Sequence, residues 1–279
     1  MNPLYQQDQR TVLVVGGSGK TGRRVAERLR AAGRPVRIGS RAAQPAFDWE
    51  DRSTWADALH GASAAYITYY PDLAVPGAPE AIDAFVRQAL QAGVRRLVLL
   101  SGRGEHEAQR AEEVLMASGA DWTIVRCSWF MQNFDEGAFL DSILSGEVAL
   151  PVGEVPEPFV DAEDIADVVF AALSDDRHIG QLYELTGPQM LTFEQAIEGI
   201  AQASGRPIAF AQIPMEAFAA SAAERGMPPE IVEFLGYLFT EVLDGRNAHL
   251  ADGVQRALGR EPRDFAEYAR RSAAAGTWK

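Results

Sequence analysis

The chain has 279 residues, of which 47% are hydrophobic, and 26 basic against 39 acidic side chains leave a formal net charge of −13. This suits one large domain, or one domain with a smaller lobe, and an acidic surface argues against nucleic acid as a partner. A lone cysteine, Cys127, rules out an internal disulfide, and the absence of any run of about 18 apolar residues leaves no expected membrane span.

The first ten residues, "MNPLYQQDQR", lack an apolar core and are expected to form a frayed tail rather than a signal peptide. From Thr11 onward, short β-branched runs alternate with amphipathic segments. "TVLVV" reads as a buried strand, and the following segment places Val25, Ala26, Leu29 and Ala32 at helical spacing, with Gly33 as its stop. "PVRIGS" is a second strand, "STWADALHG" a short helix with Ser53 as its cap, and "SAAYITYYP" a strand closed by Pro71. A helix follows with Ile82, Phe85, Val86 and Leu90 on one face, then the strand "VRRLVLLSG", the helix "EAQRAEEVLMASG" and the strand "DWTIVRCSW". This alternation predicts an α/β, doubly wound parallel sheet with helices on both faces.

After Phe130 the pattern loosens. "FVDAEDIADVVFAALSD" reads as a short strand entering a helix, "QLYELTG" as a strand, "TFEQAIEGIAQASG" as a helix capped by Thr192, and "PIAFAQIP" as a strand. The last 65 residues read as mainly helical. The expected division is a tail over 1–10, a nucleotide-binding core over 11–150 and a smaller, mainly helical substrate lobe over 151–279 with elements returning to the core.

"VVGGSGKTGRR" carries the sharpest functional signal. A phosphate loop for ATP needs G-x-x-x-x-G-K-[ST]. With Gly19, Lys20 and Thr21 at its end, the first glycine falls at position 14, which is Val14. The other frame is Gly16, Gly19 and Gly22, lying between the first strand and the first helix, as in a Rossmann-type dinucleotide fold. Glycines there let backbone approach a pyrophosphate, and the helix start supplies N–H groups and partial positive charge. Such a turn also occurs as plain helix packing. An NAD-binding fold places an acid at the end of the second strand, yet here that strand ends in Gly39, Ser40 and Arg41. Arg41 suits a 2′-phosphate, so the expected cofactor is NADP, with a solvated surface arginine as the alternative.

Together with "RIGSRA", "FDWED", "RLVLLSGRGE", "DWTIVRCSWFMQNF", "EPFVDAEDIADV" and "YELTGPQMLTFEQAI", this turn resembles the NmrA-like group of atypical short-chain dehydrogenases. Within that group the likeness is to bacterial relatives of the ergot-alkaloid reductases, and it runs from about Thr11 to the C-terminus. The resemblance implies that Gly16, Ser18, Gly19, Lys20, Thr21 and Gly22 form the pyrophosphate turn. Ser40 and Arg41 would meet the 2′-phosphate, and Asp48 and Trp49 would lie near the adenine. Thr68, Tyr69 and Tyr70 would approach the nicotinamide ribose, and Ser101, Gly102 and Arg103 would border the nicotinamide. Trp129, Phe130 and Asn133 would sit beside cofactor and substrate.

Typical short-chain dehydrogenases carry a Tyr-x-x-x-Lys pair that protonates a developing alkoxide. The helix expected to hold it, "EHEAQRAEEVLMASG", has neither residue, and the position where relatives keep a lysine, four before Glu112, is Ala108. Hydride addition to an iminium carbon needs no such acid, and a quinone or activated alkene needs less help than a ketone. The expected function is therefore an NADPH-dependent reductase acting on a hydrophobic imine, iminium, quinone, activated alkene or ketone. The alternative is a non-catalytic NADP-binding redox sensor.

Tyr70, Trp129, Phe130, Asn133, Phe234, Tyr237 and Leu238 are the candidate substrate contacts; Phe218, Met227 and Phe239 join them as candidate cavity walls or as plain core. Should a proton be needed, the candidates are Ser101, Tyr69 and Tyr70. His106 is expected on the surface, and Glu112 reads as an exposed helix carboxylate, with the orienting of a water as the alternative. Cys127 reads as an inert buried thiol, and Asp161 and Asp164 as structural. His60, His106, His178 and His249 lack metal-ligand spacing, so no metal is expected. A soluble cytoplasmic monomer or homodimer is expected, with a hydrophobic small molecule as its partner.

Overall fold

The computed structural model describes residues 10–279, so the expected tail lies, apart from Arg10, outside the described residues. The chain divides into two compact units. The first takes the chain up to Arg126, then Glu163–Tyr183 and Arg256–Gly259; the second takes Cys127–Ala162, Glu184–Gln255 and Arg260–Lys279. The first change of unit thus falls after Arg126, ahead of the expected boundary at 150.

The first unit is built on β1 (Thr11–Val15), α1 (Lys20–Ala31), β2 (Val36–Gly39), α2 (Trp55–Leu59), β3 (Ala62–Ile67), α3 (Ala78–Gln91), β4 (Arg96–Gly102), α4 (His106–Ala117) and β5 (Asp121–Cys127). The second unit holds α5 (Leu140–Ser145) and β6 (Glu147–Leu150). The chain then runs through α6 (Ala162–Ser174) and β7 (Gln181–Leu185). Next come α7 (Phe193–Ser204), β8 (Ala209–Gln212), α8 (Met215–Glu224) and α9 (Pro229–Tyr237), and last α10 (Gly253–Leu258) and α11 (Phe265–Ala274). Six strands form one sheet in the order β2-β1-β3-β4-β5-β7, and β6 pairs with β8 in a separate parallel ribbon. The pairs β1–β2, β1–β3 and β3–β4 are parallel, with Val15 opposite Gly39 and Ile67 opposite Leu99. This is the α/β, Rossmann-like sheet expected.

Side-chain alternation divides the sheet's two faces. Leu13, Val15, Ala65, Ile67, Leu97 and Leu99 share a core with Ile82, Phe85 and Val86 of α3 and Ala108, Ala111 and Leu115 of α4. Tyr66 points the other way and donates its hydroxyl to Thr21 Oγ1 of α1 at 2.9 Å. On that same helix Arg24 and Arg28 reach Glu163 at 2.6 and 2.7 Å, and Arg28 reaches Asp167 of α6 at 2.6 Å. Helix ends follow local chemistry. α1 stops at Gly33, where Arg34 N–H bonds back to the Leu29 carbonyl, and α3 ends the same way with Val94 to Ala89. Thr192 caps α7 in a reciprocal pair with Gln195, as expected.

Three local expectations are corrected. The short helix at 55–59 is entered through a 3-10 turn, Arg52–Thr54, whose cap is Asp51, accepting from Ser53 N–H; Ser53 is not the cap. The strand expected to run to Pro71 ends at Ile67. Phe159–Val160 forms no strand, only an isolated bridge from Phe130 to Val160. Asp161 is structural as expected: fully buried, it accepts from Gln132 and Arg271, each at 2.8 Å.

Candidate functional site

The turn joining β1 to α1 is shaped by backbone crowding. Gly16 takes a left-handed φ of +67°, and its N–H bonds the Gly39 carbonyl at 2.9 Å. Gly19 N–H then bonds the Gly16 carbonyl at 2.8 Å. A Cβ on Gly22 would sit 2.3 Å from the Gly16 oxygen, so helix and turn touch through backbone alone. Gly19 is the residue before α1; its first turn receives no side-chain cap and contains no acidic residue. These features fit the turn of a dinucleotide fold, where helix N–H groups face an anion. Thr68 closes the turn's far side, its hydroxyl donating to the Val15 carbonyl at 3.1 Å.

The other first-unit candidates split in setting. Thr21 is buried, and its hydroxyl oxygen accepts from Tyr66, so its side chain serves the core rather than the turn's open side. Ser40 ends β2's neighbourhood with its carbonyl accepting from Ala43 and Phe47 N–H. Arg41 is exposed and lies over the ring of Tyr70 at 5.8 Å, while Tyr70 itself is 70% exposed. Asp48 is tied down locally: its N–H bonds Thr54 and its carboxylate accepts from Glu50 N–H. Trp49 packs within 5.4 Å or less of Phe47, Tyr69 and Phe85, and its indole N–H donates to the Thr68 carbonyl at 3.0 Å. It therefore pins the end of β3. Tyr69 lies against Trp49, and burial, with Glu50 adding, raises its phenol above the usual range. Arg52 acts in the opposite direction, and burial with Glu50 outweighs it.

At the carboxyl end of β4, Ser101 is buried and donates its hydroxyl to Glu112 Oε1 at 2.6 Å. Arg126 of β5 grips the same carboxylate through two nitrogens, Nε at 2.9 Å. The expectation of an exposed Glu112 is therefore corrected: it is 1% exposed, because a guanidinium from the neighbouring strand makes burial of its charge tolerable. Arg103 is buried in the following turn. Gly102 is covered by a carboxyl that is not among the residues expected from sequence. Glu105 Oε2 occupies the place of a Gly102 Cβ, 2.0 Å from where it would stand. The only sequence signal for this was an acid directly after the strand-end "SGRG". His106 opens α4 on the surface, its side chain 81% exposed.

The second unit gathers the aromatic candidates. Trp129 stacks on Phe139 and Phe239 with interplanar angles of 10° and 21°, and meets Phe193 edge-on at 5.5 Å. Its N–H donates to buried Glu157 at 3.2 Å. Phe218 packs edge-on to Phe239 at 5.3 Å. Phe130 and Asn133 lie in the 3-10 stretch Met131–Asn133 and its entry, both half-buried. Phe234 and Tyr237 of α9 are half-buried, and no residue of that helix is fully buried, whereas Leu238 and Phe239 are buried in a π turn, Leu238–Val242. Phe218 and Phe239 are thus core of this unit, and α9 keeps its apolar side chains partly open. Cys127 is buried and forms no disulfide.

A family model, described as the NmrA-like family, matches residues 8–269. An oxidoreductase of Bacillus subtilis, YesF, itself uncharacterized, is 31% identical, covering 95% of this chain and 96% of its own. Agroclavine dehydrogenase of Claviceps fusiformis is also 31% identical, covering 92% of this chain and 96% of its own. Among solved structures, the NADPH-dependent quinone oxidoreductase of Escherichia coli, complexed with NADPH, superposes with a TM-score of 0.78 at 19% identity, covering 93% of this chain and 99% of that one. No helix among the described residues is long and apolar enough to cross a membrane.

Proposed function

The chain belongs to the NmrA-like family, and from that premise we propose that it is an NADPH-dependent reductase. Its acceptor is a hydrophobic imine, iminium, quinone, activated alkene or ketone. The observation that carries the reading is the turn over Gly16–Gly22, where a Cβ on Gly22 would meet only backbone. Nothing but glycine fits there, and the helix start it exposes has no side-chain cap. The names of the relatives, one a dehydrogenase and one an oxidoreductase, point the same way.

Gly16, Ser18, Gly19 and Lys20 would hold the pyrophosphate. Ser40 would hydrogen-bond the 2′-phosphate and Arg41 would pair with it; Tyr70 beneath that guanidinium limits its freedom before binding. Thr68, Tyr69 and Trp49 keep the end of β3 rigid beside the turn. The nicotinamide supplies hydride chemistry when bound; the chain supplies orientation and field. The stacked Trp129 and the half-open side chains of α9 are the proposed apolar contacts of the acceptor. α4 reads "HEAQRAEEVLMA", without tyrosine or lysine, so the chemistry proceeds without that pair.

The test combines binding and turnover. Fluorescence titration with NADPH and NADH should favour NADPH, and Arg41→Ala should erase about ten- to hundredfold of that preference, the worth of a lost charge-assisted hydrogen bond. NADPH oxidation is then followed with one acceptor of each class. The empty α4 also favours a second reading, a redox sensor that holds NADP without turning it over. Tight NADPH binding with no turnover of any acceptor would select it.

A further inference from the structure

Glu105 sits at the carboxyl end of β4, on the sheet edge where open α/β folds bind their ligands. It is only 8% exposed. It precedes α4 in the N-cap position, and its side chain makes no bond to the helix N–H groups. Its carboxyl lies instead against the Cα of Gly102, and Oε2 is buried with no hydrogen-bond partner. The charged groups acting on it are Asp72, from the loop after β3, and Glu112, from α4, and both are acidic. Asp72 has the Ala74 N–H at 3.0 Å, and Glu112 has Ser101 and Arg126. Of the three acids, Glu105 alone is left with an unpartnered buried oxygen. Among the described residues, no group of acids, histidines and cysteines is gathered that would hold a metal ion.

We propose that Glu105 is the acid of this reductase, a neutral carboxyl that donates a proton when the acceptor needs one. The inference rests on the reductase reading and deepens it. The other candidates fit the task less well. The Ser101 proton is committed to Glu112, and burial and the charge of Glu50 outweigh Arg52 to hold the Tyr69 phenol above its ordinary range. Burial first, then the charges of Asp72 and Glu112, push the Glu105 carboxyl well above the ordinary glutamate range. For a quinone, the reduced nicotinamide dinucleotide gives two electrons and one hydrogen as hydride. The Glu105 O–H bond breaks as an O–H bond forms on the quinone oxygen, yielding hydroquinone, oxidised dinucleotide and a Glu105 carboxylate that regains its proton from water. For a preformed iminium, hydride alone completes the reduction and Glu105 has no part.

The experiment uses the full chain as wild type, Glu105→Gln and Asp72→Asn. Infrared spectra of the cofactor-free protein across pH should show a protonated-carboxyl band persisting well above the ordinary glutamate pKa of about 4.3. That band should be absent in Glu105→Gln. With NADPH, Glu105→Gln should lose about 10²- to 10⁴-fold in kcat with a p-quinone while staying within about threefold with a preformed iminium. The quinone rate should fall as pH rises through the Glu105 pKa. Asp72→Asn should move that fall to lower pH, which a merely structural Glu105 would not do. The proposal is overturned if Glu105→Gln keeps the infrared band, retains quinone turnover, or slows both acceptors alike. A wild type that reduces no acceptor of any of the proposed classes overturns the reductase reading and the donor role with it; turnover in which Glu105 is silent overturns the donor role alone.

Discussion

Replacing Gly22 with alanine tests the backbone contact between the glycine turn and α1. The added methyl would lie 2.3 Å from the Gly16 oxygen and 2.8 Å from both Gly16 C and Gly17 Cα, where ordinary contacts begin at 3.4 Å. All three obstacles are backbone. The Gly16 backbone is held by its bonds to Gly39 and Gly19, so it has no rotamer by which to yield. Alanine in a helix gains about 1 kcal/mol over glycine, and burying a methyl adds about 0.8 kcal/mol. Overpacking typically costs about 1–3 kcal/mol, and an overlap of this depth against backbone belongs at or above the upper end. The expected net is a loss of about 1–2 kcal/mol. That lowers the midpoint of thermal unfolding by roughly 2–4 °C per kcal/mol. The turn must also open, so NADPH affinity should fall about tenfold or more, an effect of about 1.4 kcal/mol. Gly19→Ala is the control, since its Cβ would stand 3.2 Å from the Gly16 oxygen, a clash of tenths of an ångström. Thermal unfolding and fluorescence titration read both effects. A Gly22→Ala protein that melts within about 1 °C of wild type and binds NADPH equally well would refute the reasoning.

Further outcomes follow from the same geometry. Glu112→Ala removes the buried carboxylate that Arg126 and Ser101 share and should lower stability by about 2–3 kcal/mol in urea unfolding, with Glu112→Gln losing less. Glu163 is pushed up by burial, but the hydrogen bonds from Arg28 and Arg24 outweigh this and hold its carboxyl below the usual range. Its contribution to stability is therefore complete above the unfolded pKa of about 4.3 and is lost as pH falls through the lower folded value. Glu163→Gln should accordingly lower stability at neutral pH and flatten its pH dependence below about pH 4.3; an unchanged acid-unfolding profile would count against the ion pair. Tyr66→Phe removes one buried hydrogen bond to Thr21 and should cost about 1 kcal/mol, with little change in NADPH affinity, because Thr21 faces the core.

The sequence by itself determined the first unit's local structure: β1, the glycine turn, α1 and its stop at Gly33. Each of these depends on neighbours within a few residues, on β-branched periodicity and on backbone that glycine alone can supply. The capping box of α7 was legible for the same reason. Other features depend on partners remote in the chain, and no spacing rule reaches them. The β6–β8 ribbon joins Glu147 to Ala209, and α1 is tied to α6 by Arg24, Arg28, Glu163 and Asp167. Trp49 is an anchor only because the Thr68 carbonyl stands beside it. The contrast is sharpest on α4 and the turn before it. Glu112 has the helical position of a surface residue, and Arg126 on the neighbouring strand is what lets it be buried. Glu105, seven residues earlier, is buried with two acids acting on it and one oxygen unpartnered. Whether a buried carboxyl meets a guanidinium or other acids depends on which charges the fold brings against it. Only the tertiary structure decides that.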